Sequence, residues 1–470
     1  MLPEVDFWCS PVELELELGQ RPGEGGRVSP VVGETNTTDH CLMMTEGANT
    51  TQCSRWDFDR SVSPESVVSE FSLVCSNDGL RSVSSSVYMA SKMGASIVWG
   101  LLSDRFGRKK AILACAVSLT LTGVASSFSP NMITFIILRG SVAFCATGLF
   151  LCGFVYSMEL VGGLWSTLVS FGLEYSWALG YLTLPLLAWA LPRWNNLQLG
   201  ISAPSLVFAL LLAIPGLLPE SPRWLLVKGR REEAELVIEK ARRVNRMEEE
   251  KVEVAEPAES GQEKSEQANP GSVVDLFRLP ALRRSTLIMY YLWFTNNLVY
   301  YGFTLNAGKL FPGDLHINIL ISAALEFLAY TVSIFSFLYL GRRWSISAFM
   351  GVGGVSLLLT MALPTEATKS ALSQLGKFMI TASFAMVYQY STEVFPTVVR
   401  NAGLGSCSFF SRIGSIIAPF IGREMAQVSP IAPVLIFGVT SVLAGGLTLL
   451  LPETKGRTSP DTIQVSGSSS

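Results

Sequence analysis

Histidine is nearly absent from this chain: His40 and His316 are the only two in 470 residues. That leaves no His-rich metal site and no nucleophile–histidine relay. There is no GxxxxGK[ST] loop for a nucleotide-driven pump and no GxGxxG with an acidic partner for a dinucleotide. Charge is scarce as well. Charged residues make up 16%, against about 25% in soluble domains. The net charge of −3 offers no basic surplus for nucleic acid. The segment Met1 to Ser10 contains neither a basic n-region nor an apolar h-region, so it does not read as a signal peptide. Enzymes, primary pumps and nucleic-acid binders are thereby disfavoured, and no cofactor or metal is expected.

Long apolar runs are what the chain has in quantity. Hydrophobic residues reach 49% and cluster in stretches of about 18–25 residues, enough to cross a hydrocarbon layer as helix. Eleven such spans lie near 83–103, 111–128, 131–155, 167–190, 198–217, 285–304, 317–340, 346–363, 371–392, 402–422 and 431–451. Residues 1–80 and 219–284 are aqueous in character. The expectation is an all-α, multi-pass membrane protein whose partner is the lipid bilayer.

The cysteines divide by position. Cys9, Cys41, Cys53 and Cys75 share the segment 1–80 with two sequons, Asn36-Thr37-Thr38 and Asn49-Thr50-Thr51. This combination reads as an extracellular, glycosylated, disulfide-tied loop with three pairings open. Cys115, Cys145, Cys152 and Cys407 fall inside spans, where thiols pack. With residues 1–80 outside, the loops predicted to be cytoplasmic hold Arg105, Arg108, Lys109 and Lys110, then Arg223, Lys228, Arg230 and Arg231, then Arg342, Arg343 and Arg400. The outer loops hold single cations: Arg193, Lys309, Lys369 and Arg423. That is a positive-inside bias.

The chain also repeats itself. Gly107-Arg108-Lys109 recurs as Gly341-Arg342-Arg343, Glu159 as Glu393, and Pro219-Glu220-Ser221 as Pro452-Glu453-Thr454, all at a nearly constant offset. Two parallel halves are implied, as in transporters whose bundles are related by an axis along the membrane normal. The divisions are 1–80 (outer loop), 81–218 (five spans), 219–284 (linker with amphipathic helices, flexible over 253–271), 285–452 (six spans) and 453–470 (tail). Five spans against six place a missing helix before residue 1.

Several motifs resemble a known family. Gly100-x-x-x-Asp104-Arg105-x-Gly107-Arg108-Lys109 is similar to the hallmark loop of the major facilitator superfamily. CSRWDFD (53–59), VSEFSLVCSN (68–77), LPESPRWLL (218–226), YYGFTLN (300–306), EVFPTVVRNAGLG (393–405) and LPETKG (451–456) resemble solute carrier family 22, the organic cation, anion and carnitine transporters. The likeness covers residues 7–457. It implies a major facilitator fold of two six-helix halves, with about eleven spans present. It implies alternating access in a plasma-membrane carrier of small organic ions, with a possible coupled ion. A non-transporting, receptor-like or inactive homologue is the alternative.

The resemblance also implies a charged cluster that shuts the cytoplasmic side: Asp104, Arg105, Arg108, Glu159, Glu393 and Arg400. Asp104 is expected near the start of the 402–422 helix, Arg108 beside Glu159 and Arg400 beside Glu393. Ser166 and Leu338 depart from the pattern, standing where Arg and Asp are usual, which weakens the clamp.

Ionisable residues inside spans suggest function. Lys92, Arg139, Glu174, Glu326, Lys377 and Arg412 are the set. Helical spacing groups Gly405, Ser408, Arg412, Ser415 and Pro419; Ser322, Glu326, Tyr330 and Ser333; Trp293, Asn297, Tyr300 and Tyr301; and Lys377, Thr381 and Tyr388. The predicted substrate-binding residues are Lys92, Trp293, Asn297, Tyr300, Tyr301, Glu326, Tyr330, Lys377, Tyr388 and Arg412. Aromatic cages suit organic cations, whereas Arg412 or Lys377 suits a carboxylate. In the family the Arg412 position holds Asp in cation carriers and Arg in anion and carnitine carriers. The balance favours zwitterions or anions over cations. Lys92 and Glu174 are unusual, and could pair or bind substrate.

Overall fold

The computed structural model describes residues 7–9, 30–32, 38–45, 49–53, 56–58, 65–161, 164–214, 217–245, 273–278, 280–305, 315–396 and 399–455. Asn36, linker residues 253–271 and the tail from 458 lie outside these, as do the side chains of Cys9, Asn49 and Arg400.

Within the described residues, eleven long helices occupy the eleven apolar segments. They are α2 (Gly79–Phe106), α3 (Arg108–Ser126), α4 (Met132–Leu160), α5 (Leu164–Ala190), α6 (Trp194–Ala213), α9 (Pro280–Leu305), α10 (Leu315–Tyr339), α11 (Arg342–Leu359), α12 (Glu366–Val394), α13 (Arg400–Val428) and α14 (Ile431–Thr448). Six of these are long and apolar enough to cross a membrane on length and composition alone. Others carry Lys92, Asn296, Asn297 or Lys377 on inward faces, which lowers their hydropathy. Short helices α1 (Val67–Glu70), α7 (Pro222–Val227) and α8 (Arg231–Asn245) lie outside the bundle.

Local chemistry sets the helix ends. Asn131 caps α4 by accepting the Thr134 N–H at 2.9 Å. Ser221 caps α7, with Pro222 in its first turn. Gly107 and Gly341 join consecutive helices at φ of +104° and +101°, a region where a side chain is strained. Hydroxyls inside the helices bond to carbonyls one turn back, as Thr120 does to Ala116 and Ser391 to Val387. No water is available there to serve instead.

The same helix pairs meet in both halves: α3 packs on α4 and α6, and α11 packs on α12 and α14. The halves touch each other mainly through α2 against α13 and α5 against α10. The largest core runs through the second half around Met289, Phe303, Tyr390 and Phe437.

The all-helical expectation for the chain's mass holds, but the outer segment contains short strands. β1 (Phe7–Cys9) pairs antiparallel with β5 (Trp56–Phe58), and β2 (Pro30–Val32), β3 (Thr38–Thr45) and β4 (Asn49–Gln52) form a second antiparallel sheet. Of the open pairings, Cys41 bonds Cys75, and Cys53 is also disulfide-bonded. Closing a loop across a separation of 34 residues stabilises by about 4 kcal/mol in the chain-entropy account. Val68, Leu73 and Val74 seat this segment on Phe135 and Trp194 of the first half. We call this end of the bundle the capped end, and the opposite end, with Arg108 and Arg342, the basic end.

The α9–α13 contact depends on Gly414, where a Cβ would lie 2.5 Å from the Phe294 carbonyl oxygen. Gly414→Ala is expected to lose about 1–3 kcal/mol through overpacking, read as a lower unfolding temperature in detergent. Gly446→Ala, which meets nothing within 4 Å, should leave that temperature unchanged or raise it.

Candidate functional site

At the basic end the sequence repeat becomes a repeated hydrogen-bond motif. Glu220 accepts the backbone N–H of Arg108 at 2.9 Å and of Lys109 at 3.1 Å, capping α3. Glu453 accepts those of Arg342 at 3.0 Å and Arg343 at 3.2 Å, capping α11. Each carboxylate thus sits on the positive end of a helix dipole. Arg108 Nη2 meets Glu159 at 2.9 Å, and Arg342 Nε meets Glu393 at 3.1 Å. The Tyr156 hydroxyl donates to the Pro219 carbonyl at 2.9 Å, and Tyr390 to Pro452 at 2.6 Å. Partial burial opposes ionisation of Glu453. Backbone donors from Arg342, Lys455, Arg343 and Thr454 outweigh it and hold its carboxyl below the ordinary range.

The structure places Glu393, Asp104 and Arg105 of this cluster. Glu393 pairs with Arg342, the counterpart of Arg108 in the repeat, and Arg342 heads the helix packed beside Glu393's own; the side chain of Arg400, its expected partner, lies outside the described residues. Asp104 is 70% exposed and bonded to Arg108, one turn on in its own half. Arg105 is exposed and lies over the Phe106 ring, with no ion pair among the described residues. The clusters brace each half separately. Among the described residues no hydrogen bond or ion pair joins the halves at this end. The halves approach there through Phe154 and Tyr388, with ring centroids 6.4 Å apart.

The link between halves is at the capped end. Asp78, before α2, takes Arg423 Nη2 at 2.6 Å and Gln427 Nε2 at 2.7 Å from α13. Ser82 donates to Glu424 at 2.7 Å, and Ser86 to the Ile416 carbonyl at 2.7 Å. Burial raises the Asp78 pKa, but Arg423, Arg81 and Gln427 together outweigh it and hold the carboxyl below the carboxylate range. A lowered folded pKa means the link is fully present at neutral pH and is lost only as pH falls through that lowered value. Sequence reasoning missed this latch and treated Arg423 as a lone outer cation. The signal was available: the Arg412–Ser415–Pro419 stripe, continued one turn, reaches Arg423.

Midway along the bundle several predicted residues converge. Lys377 Nζ lies 3.4 Å from Glu326 Oε1, with the two side chains 3% and 1% exposed. Tyr300 donates to Glu326 Oε1 at 3.0 Å, and Trp177 Nε1 donates to the Tyr300 oxygen at 3.0 Å. Lys377 also bonds the Tyr181 hydroxyl at 3.2 Å. Glu326 Oε2 has no hydrogen-bond partner among the described residues. Lys92 Nζ donates to the Tyr301 hydroxyl at 3.3 Å. Tyr330 packs edge-on to Tyr175. The network draws on both halves, and α5 supplies Tyr175, Trp177 and Tyr181, none of which the sequence pattern had singled out.

Not every expected residue joins it. Asn297 is buried and gives its amide to the Trp293 carbonyl at 3.2 Å on its own helix. Trp293 bonds Ser391 at 2.9 Å inside the second half, and its ring lies 5.4 Å from that of the half-exposed Tyr388. Among the described residues no ion pair joins Lys92 to Glu174. Arg412 is half-buried beside Tyr301, and its Nε is buried without a hydrogen-bond partner among the described residues.

Known proteins share this architecture. A family profile described as sugar (and other) transporter matches residues 38–462. An organic cation transporter protein of Drosophila melanogaster is 36% identical over 88% of this chain and 76% of its own length. Human solute carrier family 22 member 13 is 36% identical over 87% and 73%. The chain belongs to the major facilitator superfamily, solute carrier family 22. A further relative in this family, the human organic cation/carnitine transporter 2, is 33% identical over 87% of this chain and 73% of its own. Among solved structures, the major facilitator proton:xylose symporter XylE matches with a TM-score of 0.60 at 19% identity, over 82% of this chain and 88% of that one. That likeness shows the fold. Family membership makes the chain a multi-pass membrane transporter of small molecules, not an enzyme.

Two measurements test the geometry. Removing one partner of a buried ion pair strands the other, so Glu326→Ala should lose about 3–5 kcal/mol. The double variant Glu326→Gln with Lys377→Met should recover most of it in the same detergent unfolding assay. Asp78→Asn should release the latch. Spin labels at Ser76→Cys and Val428→Cys should then report a longer distance across the capped end, whereas acidifying the parent protein to pH 5 should not.

Proposed function

We propose that this chain is a secondary transporter of small organic ions that works by alternating access at the plasma membrane. The capped end is extracellular and the basic end cytoplasmic, as the positive-inside bias requires. The observation that carries the reading is the charged and aromatic network at mid-bundle, shared between the halves: Lys92, Tyr300, Tyr301, Glu326, Lys377 and Trp177 come from α2, α9, α10, α12 and α5. Midplane sites at a repeat interface are where carriers of this architecture hold cargo. The substrate-contacting set is proposed as Lys92, Tyr300, Tyr301, Glu326, Tyr330, Lys377, Tyr388 and Arg412, with Trp293 positioning Tyr388.

The latch at one end and the braced but unjoined clusters at the other fit an inward-facing state. In the opposite state the halves would rock about the midplane network, releasing Asp78 from Arg423 and bringing Asp104 toward α13. The gating role of Asp104, Arg108, Glu159, Glu393 and Arg400 is then to keep each half rigid while it moves, with Asp104 the only carboxylate of the set free enough to change partners. Transport is driven by the substrate gradient, the membrane potential or a coupled ion. The relatives named for organic cations and for carnitine support organic ions as the cargo class.

Uptake of radiolabelled carnitine, a quaternary ammonium and an aromatic carboxylate into cells expressing the chain tests this directly. At least one should accumulate above untransfected cells. Arg412→Ala should reduce uptake of carboxylate-bearing substrates by about 10–100-fold, the worth of a charge-assisted hydrogen bond. Equal loss for a pure cation would sink that assignment.

A further inference from the structure

Lys92 sits in a box of three aromatic rings. Its Nζ lies 5.5 Å from the ring centroids of Tyr88, Trp177 and Tyr301 alike. Its hydrogen bond is to the Tyr301 hydroxyl at 3.3 Å, and it has no carboxylate partner among the described residues. The rings come from α2, α5 and α9, so the box is built across the two halves. An aromatic box of this kind is what recognises a quaternary or protonated amine, through the negative faces of its rings. Here the protein's own ammonium already fills it.

The second feature that would attract a cation is filled in the same way. Glu326 is held by Lys377 at 3.4 Å, and that ammonium stands 4.5 Å from the Tyr181 ring centroid. Both cation-receptive elements of the network are therefore occupied by lysines of the chain. A free organic cation entering the box would have to displace Lys92 and then lie against it, with like charges close together in a medium that screens them poorly. Two cationic groups near the box are left over for a ligand. Arg412 stands beside Tyr301 with an unpartnered Nε among the described residues, and Lys92 itself has Nζ donors to spare.

We propose that Lys92 is a tethered cation that fills the aromatic box, closes it to organic cations and selects organic anions, whose carboxylate is held by Lys92 and Arg412 about Tyr301. This rests on the transporter reading above and narrows its cargo. It also implies a reversal of selectivity. Without the Lys92 charge, the Trp177 and Tyr301 faces stand open, while the Tyr88 ring keeps the Arg139 guanidinium 5.3 Å from its centroid. Glu174, one turn before Trp177 on the same face of α5 and in no ion pair among the described residues, then supplies a nearby counter-charge.

The test compares the full chain with Lys92→Gln and Lys92→Arg, using labelled benzoate and tetraethylammonium. Cellular uptake is one readout, and the thermal shift of the purified protein by each ion is the other. The parent should take up benzoate, with tetraethylammonium neither transported nor inhibitory. Lys92→Gln should lose about tenfold in benzoate uptake and gain about tenfold in apparent affinity for tetraethylammonium, within the span of a cation–π site. Lys92→Arg should keep the preference for the anion. A parent inhibited by tetraethylammonium as strongly as by benzoate overturns the proposal, and needs no variant to fold. So does an unchanged benzoate-to-tetraethylammonium ratio in Lys92→Gln. If neither protein accumulates any ion yet tetraethylammonium stabilises only Lys92→Gln, the box assignment stands and the transporter reading falls.

Discussion

Everything in this structure follows from the absence of water around the spans: a polar group placed there must find its partner within the protein. Serine and threonine hydroxyls return to carbonyls one turn back on their own helices. The buried Glu326 takes Lys377 and the Tyr300 hydroxyl. Lys92, with no carboxylate partner among the described residues, is held by the faces of three rings. Each ion pair and ring contact of this kind couples helices that are far apart in sequence, so the same constraint that satisfies the charges also assembles the bundle. At mid-bundle it does more. The network runs from Trp177 through Tyr300 and Glu326 to Lys377 and back to Tyr181, closing a circuit that passes twice between the halves.

The two ends of the bundle solve a different problem, that of holding or freeing the halves. At the basic end the repeat is complete in geometry: Glu220 and Glu453 each cap a helix, and Arg108 and Arg342 each reach a glutamate on the neighbouring helix. These bonds stay inside one half, so they stiffen it without restricting its motion against the other. The capped end has the reverse arrangement. Asp78 with Arg423 and Ser82 with Glu424 bind across, while the strand-bearing segment is seated on the first half. The copies differ where Asp104 has Leu338 as its counterpart, and Arg342 lies over the Phe337 ring at 4.2 Å from its centroid. At this corner the first half therefore presents an exposed carboxylate where the second has a leucine.

Much of this was legible from residues alone. Hydropathy placed the eleven helices, because a span must be apolar over most of its length to lie in lipid. The constant offset between the two halves found the equivalent corners. Gly107 and Gly341 there show nearly the same positive φ, because only glycine turns two antiparallel helices so tightly. Lys92 stood out as an ionisable residue inside a span, and helical spacing picked out Glu326, Tyr300 and Lys377 as charges or aromatics on inward stripes. It also picked out Trp293 and Asn297, which lie on such a stripe but are spent within their own half. A stripe tells which way a side chain faces and cannot tell whether a lumen or a neighbouring helix is there.

The sequence by itself determined the class of protein, the span positions, the repeat and the roster of buried charges, since each rests on local hydropathy and on spacing along one helix. Only the tertiary structure decided who meets whom. It paired Glu393 with Arg342, chose Cys75 for Cys41, and set the Asp78 latch between the start of one half and the end of the other. It also brought Tyr88, Trp177 and Tyr301 around one ammonium. Those are choices among partners of equal local merit, and they are made by how the helices of two halves pack, which no single stretch of sequence encodes.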